Sequence, residues 1–397
     1  MRAALLILPA ILLPGIVLAA DNLDRALGKA LFERNWVPAP ASTDAANGLG
    51  PLFSERSCLL CHGGPGGGAS IAVNADGIVA HGLTLRFGDG DGKPDPIYGS
   101  NFQARAVPGL LSEGTLTIAV TDTAVTAVPT LARGPLSPET KTSVRLAPPL
   151  VTRGRIDLVD PAAILANAGE EKKTGDGISG RPNMIDTPNG PVPGRYGWKA
   201  EQPYLDHQIA HAFAFDLGLS SPIYRLPYGD CTKAEPDCLA APNGQSKNFD
   251  GEEISRQIID LVAGYVKGLE PRAIEPPTAG QVIFDDLGCI ACHRSTLPAK
   301  DGTPLTIYSD LLLHDMGRGL DDGVAAPGVK SSEWRTAPLA GLSWSQGSTR
   351  RYLHDGRAAT LDAAIRAHGG EAGGALSGYL ALRAEDREKL IAFLETL

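Results

Sequence analysis

Four of the six cysteines fall into two matching frames, Cys58-Leu59-Leu60-Cys61-His62 and Cys289-Ile290-Ala291-Cys292-His293. C-x-x-C-H is the attachment frame of c-type haem: the two thiols add across the porphyrin vinyl groups, and the adjoining imidazole is thereby set under the ring as the proximal iron ligand. The spacing is a geometric demand. A thioredoxin-like redox pair, or a zinc site shared by both pairs, would use the cysteines but leave the two trailing histidines without a purpose. The frames therefore assign Cys58, Cys61, His62, Cys289, Cys292 and His293 to two covalently bound haem c groups. Cys231 and Cys238 have no trailing histidine, lie in a loop containing Pro, Asp and Lys, and are expected to form a small-loop disulfide in an oxidising compartment.

Arg2 is followed by an uncharged apolar run from Ala3 to Ala20 that ends in small residues. This reads as a secretory signal over residues 1–20. Pro9 and Pro14 interrupt the run and no basic flank follows it, which argues for cleavage rather than anchoring. The expected product is periplasmic, with no membrane span after cleavage. Acidic residues outnumber basic ones by 45 to 36, and the net charge of -9 comes without a basic cluster. That excludes the electrostatic footprint of a nucleic-acid binder and suits a basic redox partner.

With 43% apolar residues in 397, the chain has material for two packed cores, and 47 Gly with 31 Pro imply long ordered loops. Ile254, Ile258, Leu261, Val262, Tyr265 and Leu269 form an apolar helix stripe that Pro271 stops. The boundary is placed there, giving an N-terminal haem domain over 21–270 and a C-terminal one over 271–397. A terminal helix from about Glu385 buries Leu390, Leu394 and Leu397. Leu116, Ile118 and Val120 alternate with Thr and Ala, and Leu83 and Leu85 begin a second alternation, which predicts β hairpins inserted in the first module. The expected fold is mainly α: two cytochrome c-like domains with long ordered loops and a small β-hairpin insertion.

The modules echo each other. Gly50-x-x-Phe53 before the first frame recurs as Gly280-x-x-x-Phe284 before the second, and Arg145-Leu146-Ala147-Pro148 recurs as Arg335-Thr336-Ala337-Pro338. In the continuing echo, His368 stands where the first module has Asn167. A helix begun by Thr360 puts Leu361, Ala364, Ile365 and His368 on one inward face. His368 is then either a hydrogen-bonded core histidine or a sixth haem ligand, and Met316 is the rival ligand, one that raises the reduction potential. His314 and His354 are read as orienting groups, and His207 and His211, spaced i, i+4, as surface histidines.

Longer strings carry a resemblance. Gly175–Asn183, Tyr196–Ala200, Tyr308–Gly317, Glu333–Thr336, Leu353–Ala358 and His368–Glu371 resemble the bacterial di-haem oxidoreductase family, a branch of the di-haem cytochrome c peroxidase superfamily. The resemblance implies two haems facing each other, with the C-terminal one transferring electrons and ligated by His368. It makes the N-terminal haem the centre that meets hydrogen peroxide or another small oxidant. A carboxylate base is implied, and Asp157 stands where the family shows Glu, with Glu170 and Glu171 behind it. His81 is a candidate to close that distal site. Trp198 is set either to carry an electron between the haems or to pack on a porphyrin. The stretch before Gly175 keeps few ligands of a calcium-binding run, so calcium is only an added candidate.

Two functions follow. The first is an exported di-haem oxidoreductase, peroxidase-like, fed by a small electron-donor protein such as a cytochrome c or cupredoxin. The alternative is a non-catalytic di-haem electron carrier or redox sensor. A haem-free binding protein stapled by disulfides or zinc is the third class.

Overall fold

The computed structural model describes residues 14–74, 77–171, 177–272, 279–345 and 350–397. The leader read over 1–20 falls mostly outside them, and from Pro14 the chain is a helix that runs to Glu33. Among the described residues no helix is long and apolar enough to cross a membrane.

The apolar stripe after residue 254 becomes the helix Arg256–Lys267, opened by Ser255, whose Oγ accepts the Ile258 N–H at 3.3 Å. Such a cap is worth about 1 kcal/mol. Ile258, Ile259, Val262, Ala263 and Val266 are buried against the helices Pro14–Glu33 and Leu205–Asp216. A fully buried Val or Ile contributes about 1.5–3 kcal/mol, so packing outweighs the cap. The crossing with the first helix is close enough that a Cβ at Gly28 would lie 2.0 Å from the Leu261 carbonyl oxygen. This core also takes in Leu297, Ile307, Leu311 and Leu312 from beyond residue 271. A second core joins Phe284, Tyr308 and Tyr379 to Leu390, Phe393 and Leu394 of the terminal helix Ala384–Thr396.

The mainly α expectation is overturned. Helix makes up 32% of the chain and strand 21%, and the strands form small two-stranded sheets rather than one hairpin insertion. Two pairings follow the alternations read in the sequence: Leu83–Gly88 with Lys141–Leu146, and Gly114–Val120 with Val125–Leu131, both antiparallel. Ser70–Asn74 with Gly77–His81 is a further antiparallel pair, five residues a side, that lies outside those alternations. The remaining strands, at two or three residues, are too short to leave a period-2 pattern. Leu313–Asp315 pairs with Glu333–Arg335 because polar anchors hold it. The Arg181 guanidinium forks onto the Glu333 carboxylate at 2.6 and 2.7 Å. The buried Lys199 ammonium donates to the carbonyls of Lys330, Ser331 and Glu333. Cys231 and Cys238 are joined as a disulfide.

Candidate functional site

Cys58–His62 is a single helical turn. Gly66 and Gly67, at φ +65° and +74°, turn the chain back so that the Gly67 carbonyl accepts the His62 Nδ1–H at 2.7 Å. A Cβ at Gly67 would sit 2.9 Å from that of Leu150, so the turn requires glycine. The second frame repeats the device: His293 Nδ1 donates to the Tyr308 carbonyl at 3.2 Å, presented by a residue at φ +54°. In both rings the bond fixes the tautomer and leaves Nε2 with a bare lone pair, the arrangement of a metal-ligating histidine. Burial pulls the His62 imidazole down to about 4. Burial, then the charge of His368, does the same to His293. The four thiols divide two and two between separate cavities, so no shared zinc site forms.

The C-terminal cavity brings together Cys289, Cys292, His293, Met316, His354 and His368. Both sixth-ligand candidates therefore border it. The helix Leu361–Arg366, begun by Thr360 Oγ1 on the Ala363 N–H, delivers His368 just past its end, with Nδ1 donating to the Ala364 carbonyl at 2.9 Å. His368 thus shares the tautomer lock of the two proximal histidines. Beside Cys292, buried His314 bridges Asp310 at 2.9 Å and Glu371 at 2.8 Å. Burial alone would lower its imidazole, but the two carboxylates push it well above the usual range. Burial works against the Glu371 charge, yet hydrogen bonds from His314, Ser179 and Asp315 hold that carboxyl down at about 2. His314 is thus an imidazolium clamp on the loop that follows His368.

The N-terminal cavity is lined by Cys58, Cys61 and His62 together with polar groups that include Arg86, Glu201, Gln208, His211 and Asp216. Arg86 and Glu201 pair at 3.8 Å. Burial, then the Arg86 charge, pulls His211 down to about 4. His211, read in the sequence as a surface histidine, borders this cavity, while His207 one turn earlier borders neither. The i, i+4 spacing was visible, but which face of Leu205–Asp216 meets the cavity depends on long-range packing. His81 is exposed at the end of the strand Gly77–His81, and Asn167 is buried in the helix Pro161–Glu171; neither borders either of these two cavities.

Asp157, the sequence's candidate base, also lies outside both cavities. Its carboxylate pairs with Lys267 at 2.8 Å, accepts the Leu205 N–H at 3.1 Å and takes the Tyr196 hydroxyl at 3.2 Å. A buried tyrosine claims it for packing. Asp157→Asn keeps both neutral hydrogen bonds and loses an ion pair whose lysine is half exposed. The denaturant midpoint should report a loss of no more than about 1 kcal/mol, with peroxide turnover unchanged. A fall of about tenfold or more in turnover would return Asp157 to the chemistry. The side chains of Glu170 and Glu171, and most of the stretch read for calcium, lie outside the described residues.

Trp198 and Arg153 border both cavities. The Trp198 indole N–H donates to the Leu146 carbonyl at 2.8 Å. Of the echoed segments, Arg335–Pro338 lines the C-terminal cavity, while Arg145–Pro148 lines the N-terminal one and its Leu146, Ala147 and Pro148 border the C-terminal cavity as well. Arg153 donates to the Pro149 carbonyl, and Arg335 to those of Gly197 and Thr336. Among the described residues neither has a carboxylate at ion-pair distance, and burial lowers them to about 10 and about 9. Unpaired buried charge costs several kcal/mol, so these positions suit an anion that the chain does not supply. The propionates of two porphyrins fit that demand, as the thiols and tautomer-locked imidazoles fit the rest of the group.

A model of the family described as "Di-haem oxidoreductase, putative peroxidase" matches residues 134–397. No curated protein matches the chain. Among solved structures, hydrazine synthase from Kuenenia stuttgartiensis, pressurised with xenon, aligns at 19% identity over 62% of this chain and 87% of that one, with a TM-score of 0.28. That likeness is too weak to carry an argument about fold or chemistry. The family match extends over well more than half of the sequence, and with it this chain belongs to the di-haem oxidoreductases.

Proposed function

We propose that the protein is an exported, periplasmic c-type member of its family that reduces hydrogen peroxide or a comparable small oxidant. Electrons enter at the C-terminal haem, held by His293 and His368, from a small donor protein such as a cytochrome c or cupredoxin. They leave at the N-terminal haem, held by His62. The observation that carries the reading is the inequality of the two cavities. One is lined by its proximal histidine and by a second imidazole in the same tautomer lock, and the other offers ionisable and hydrogen-bonding groups without such a lock.

When bound, the two haems supply one-electron storage and an iron centre able to take an oxygen ligand. The chain does the rest. Backbone carbonyls keep Nε2 of His62, His293 and His368 free of protons. Arg153 and Arg335 hold carboxylates in a site from which water is largely excluded. The polar set of the N-terminal cavity handles protons, so that peroxide, two electrons and two protons leave as two waters.

Protein matured with a c-type haem assembly system should stay red on a denaturing gel, and Cys58→Ser/Cys61→Ser should retain only the second porphyrin. Electron paramagnetic resonance of the ferric protein should show one low-spin and one high-spin species. A colourless chain with four free thiols defeats the reading outright. Low-spin signals alone, in both oxidised and half-reduced protein, select the electron carrier or sensor instead.

A further inference from the structure

We infer that His211 is the acid–base residue of the N-terminal haem cavity, taking a proton from the inner oxygen of bound hydrogen peroxide and returning it to the outer oxygen beside Arg86. This deepens the proposed function and rests on it.

Three observations converge. The first is a contrast among histidines that border the cavities. His62, His293 and His368 each have Nδ1 tied to a backbone carbonyl, which fixes one tautomer for ligation. His211 has no hydrogen-bond partner among the described residues. Its ring is held by stacking on Phe215 at 4.4 Å and 23° and by the edge of Tyr224 at 5.8 Å. Aromatic packing fixes the plane of an imidazole while leaving either nitrogen able to carry the proton, which a residue that accepts and then returns a proton needs.

The second observation is its company. Arg86 and Glu201 both act electrostatically on His211 and pair with each other. The Glu201 carboxylate and the Gln208 amide oxygen lie 3.1 and 3.8 Å from where a Cβ would stand on Gly197. The absence of a side chain there leaves them room at the cavity. A cation beside the base stabilises charge on the departing oxygen, and a carboxylate paired with that cation holds it in place. The third is exclusion. Asp157, His81, Asn167 and His207 border neither cavity; of the carboxylates that do line the N-terminal one, Glu201 is paired with Arg86, and Asp216 acts on the attachment thiols of Cys58 and Cys61. Apart from the proximal His62, His211 is the imidazole among the described residues that lines this cavity.

The balance is simple. The proton leaves the inner oxygen for His211 and passes to the outer one. The O–O bond breaks with its electron pair going outward, and the outer oxygen departs as water. Two electrons from the donor protein and two protons then release the inner oxygen as the second water.

Cyanide provides a test that needs no turnover, because hydrogen cyanide must lose its proton to bind ferric iron. In stopped-flow mixing of the di-haem protein, oxidised or half-reduced, His211→Ala and His211→Gln should slow cyanide association by about 100-fold or more. Both haems should remain attached and the resting resonance spectrum unaltered. His207→Gln, on the same helix, should bind at the native rate. An unchanged rate in the His211 variants overturns the assignment. Conversion of a low-spin N-terminal signal to high-spin also overturns it, because His211 would then be an axial ligand. Native protein that carries both haems yet binds no cyanide in either state shows instead that the open-site reading beneath it has failed.

Discussion

Replacing His368 by alanine should abolish one low-spin resonance signal, convert the C-terminal haem to high spin, and stop peroxide turnover supported by a donor protein while both haems stay covalently attached. The reason is local and cumulative. Thr360 starts a two-turn helix, Leu361, Ala364 and Ile365 line the same cavity, and the Ala364 carbonyl orients the ring at its end. Downstream, Glu371 anchors the loop to His314, Asp315 and Ser179. The other imidazoles on this cavity are engaged elsewhere, His314 by Asp310 and Glu371 and His354 by stacking on Trp334. His368→Met should restore a low-spin species at a higher reduction potential, since a thioether in place of an imidazole stabilises ferrous iron. The shift would be some fraction of the ~0.8 V over which axial ligands tune haem proteins. A redox titration followed at the low-spin band measures it. A spectrum unchanged in His368→Ala would make Met316, on the same cavity, the ligand.

What the sequence disclosed and what it withheld divide along range. Cys58, Cys61 and His62 are legible because an attachment frame is defined by spacing within five residues, and Thr360 because a cap acts within one turn. The short strand pairs were invisible because Leu313–Asp315 and Glu333–Arg335 owe their pairing to Lys199 and Arg181, more than a hundred residues away. The same physics explains Asp157. Its place in a family-like string suggested a base, but a Lys267 ammonium and a Tyr196 hydroxyl from distant elements claim it. His211 went unrecognised for the mirror-image reason. A helix with apolar residues on several faces does not reveal which one fronts a cavity, and Tyr224 meets the ring only after the loop beyond Leu217 folds back.

Trp198→Phe should leave both haem spectra in place and slow reoxidation of the C-terminal haem by peroxide by about tenfold or more, equivalent to about 1.4 kcal/mol on the barrier. Two indoles compete for the role of relay. Trp334 stacks on His354 at 3.7 Å and 7°, but Lys199 and Arg145 stand over its ring at 3.8 and 4.5 Å. An indole that has given up an electron is itself a cation. A neighbouring unit charge at such range opposes it by about 4 kcal/mol at an effective dielectric of 20. Among the described residues no lysine or arginine stands over Trp198, which borders both cavities and meets His354 edge-on at 6.4 Å. Phenylalanine keeps most of that packing, loses the hydrogen bond to Leu146, and is far harder to oxidise. Rapid mixing of half-reduced protein with peroxide, followed at the C-terminal ferrous band, separates the candidates. Equal rates in native and Trp198→Phe protein, with slowing in Trp334→Phe, would transfer the role to the indole between the two cations.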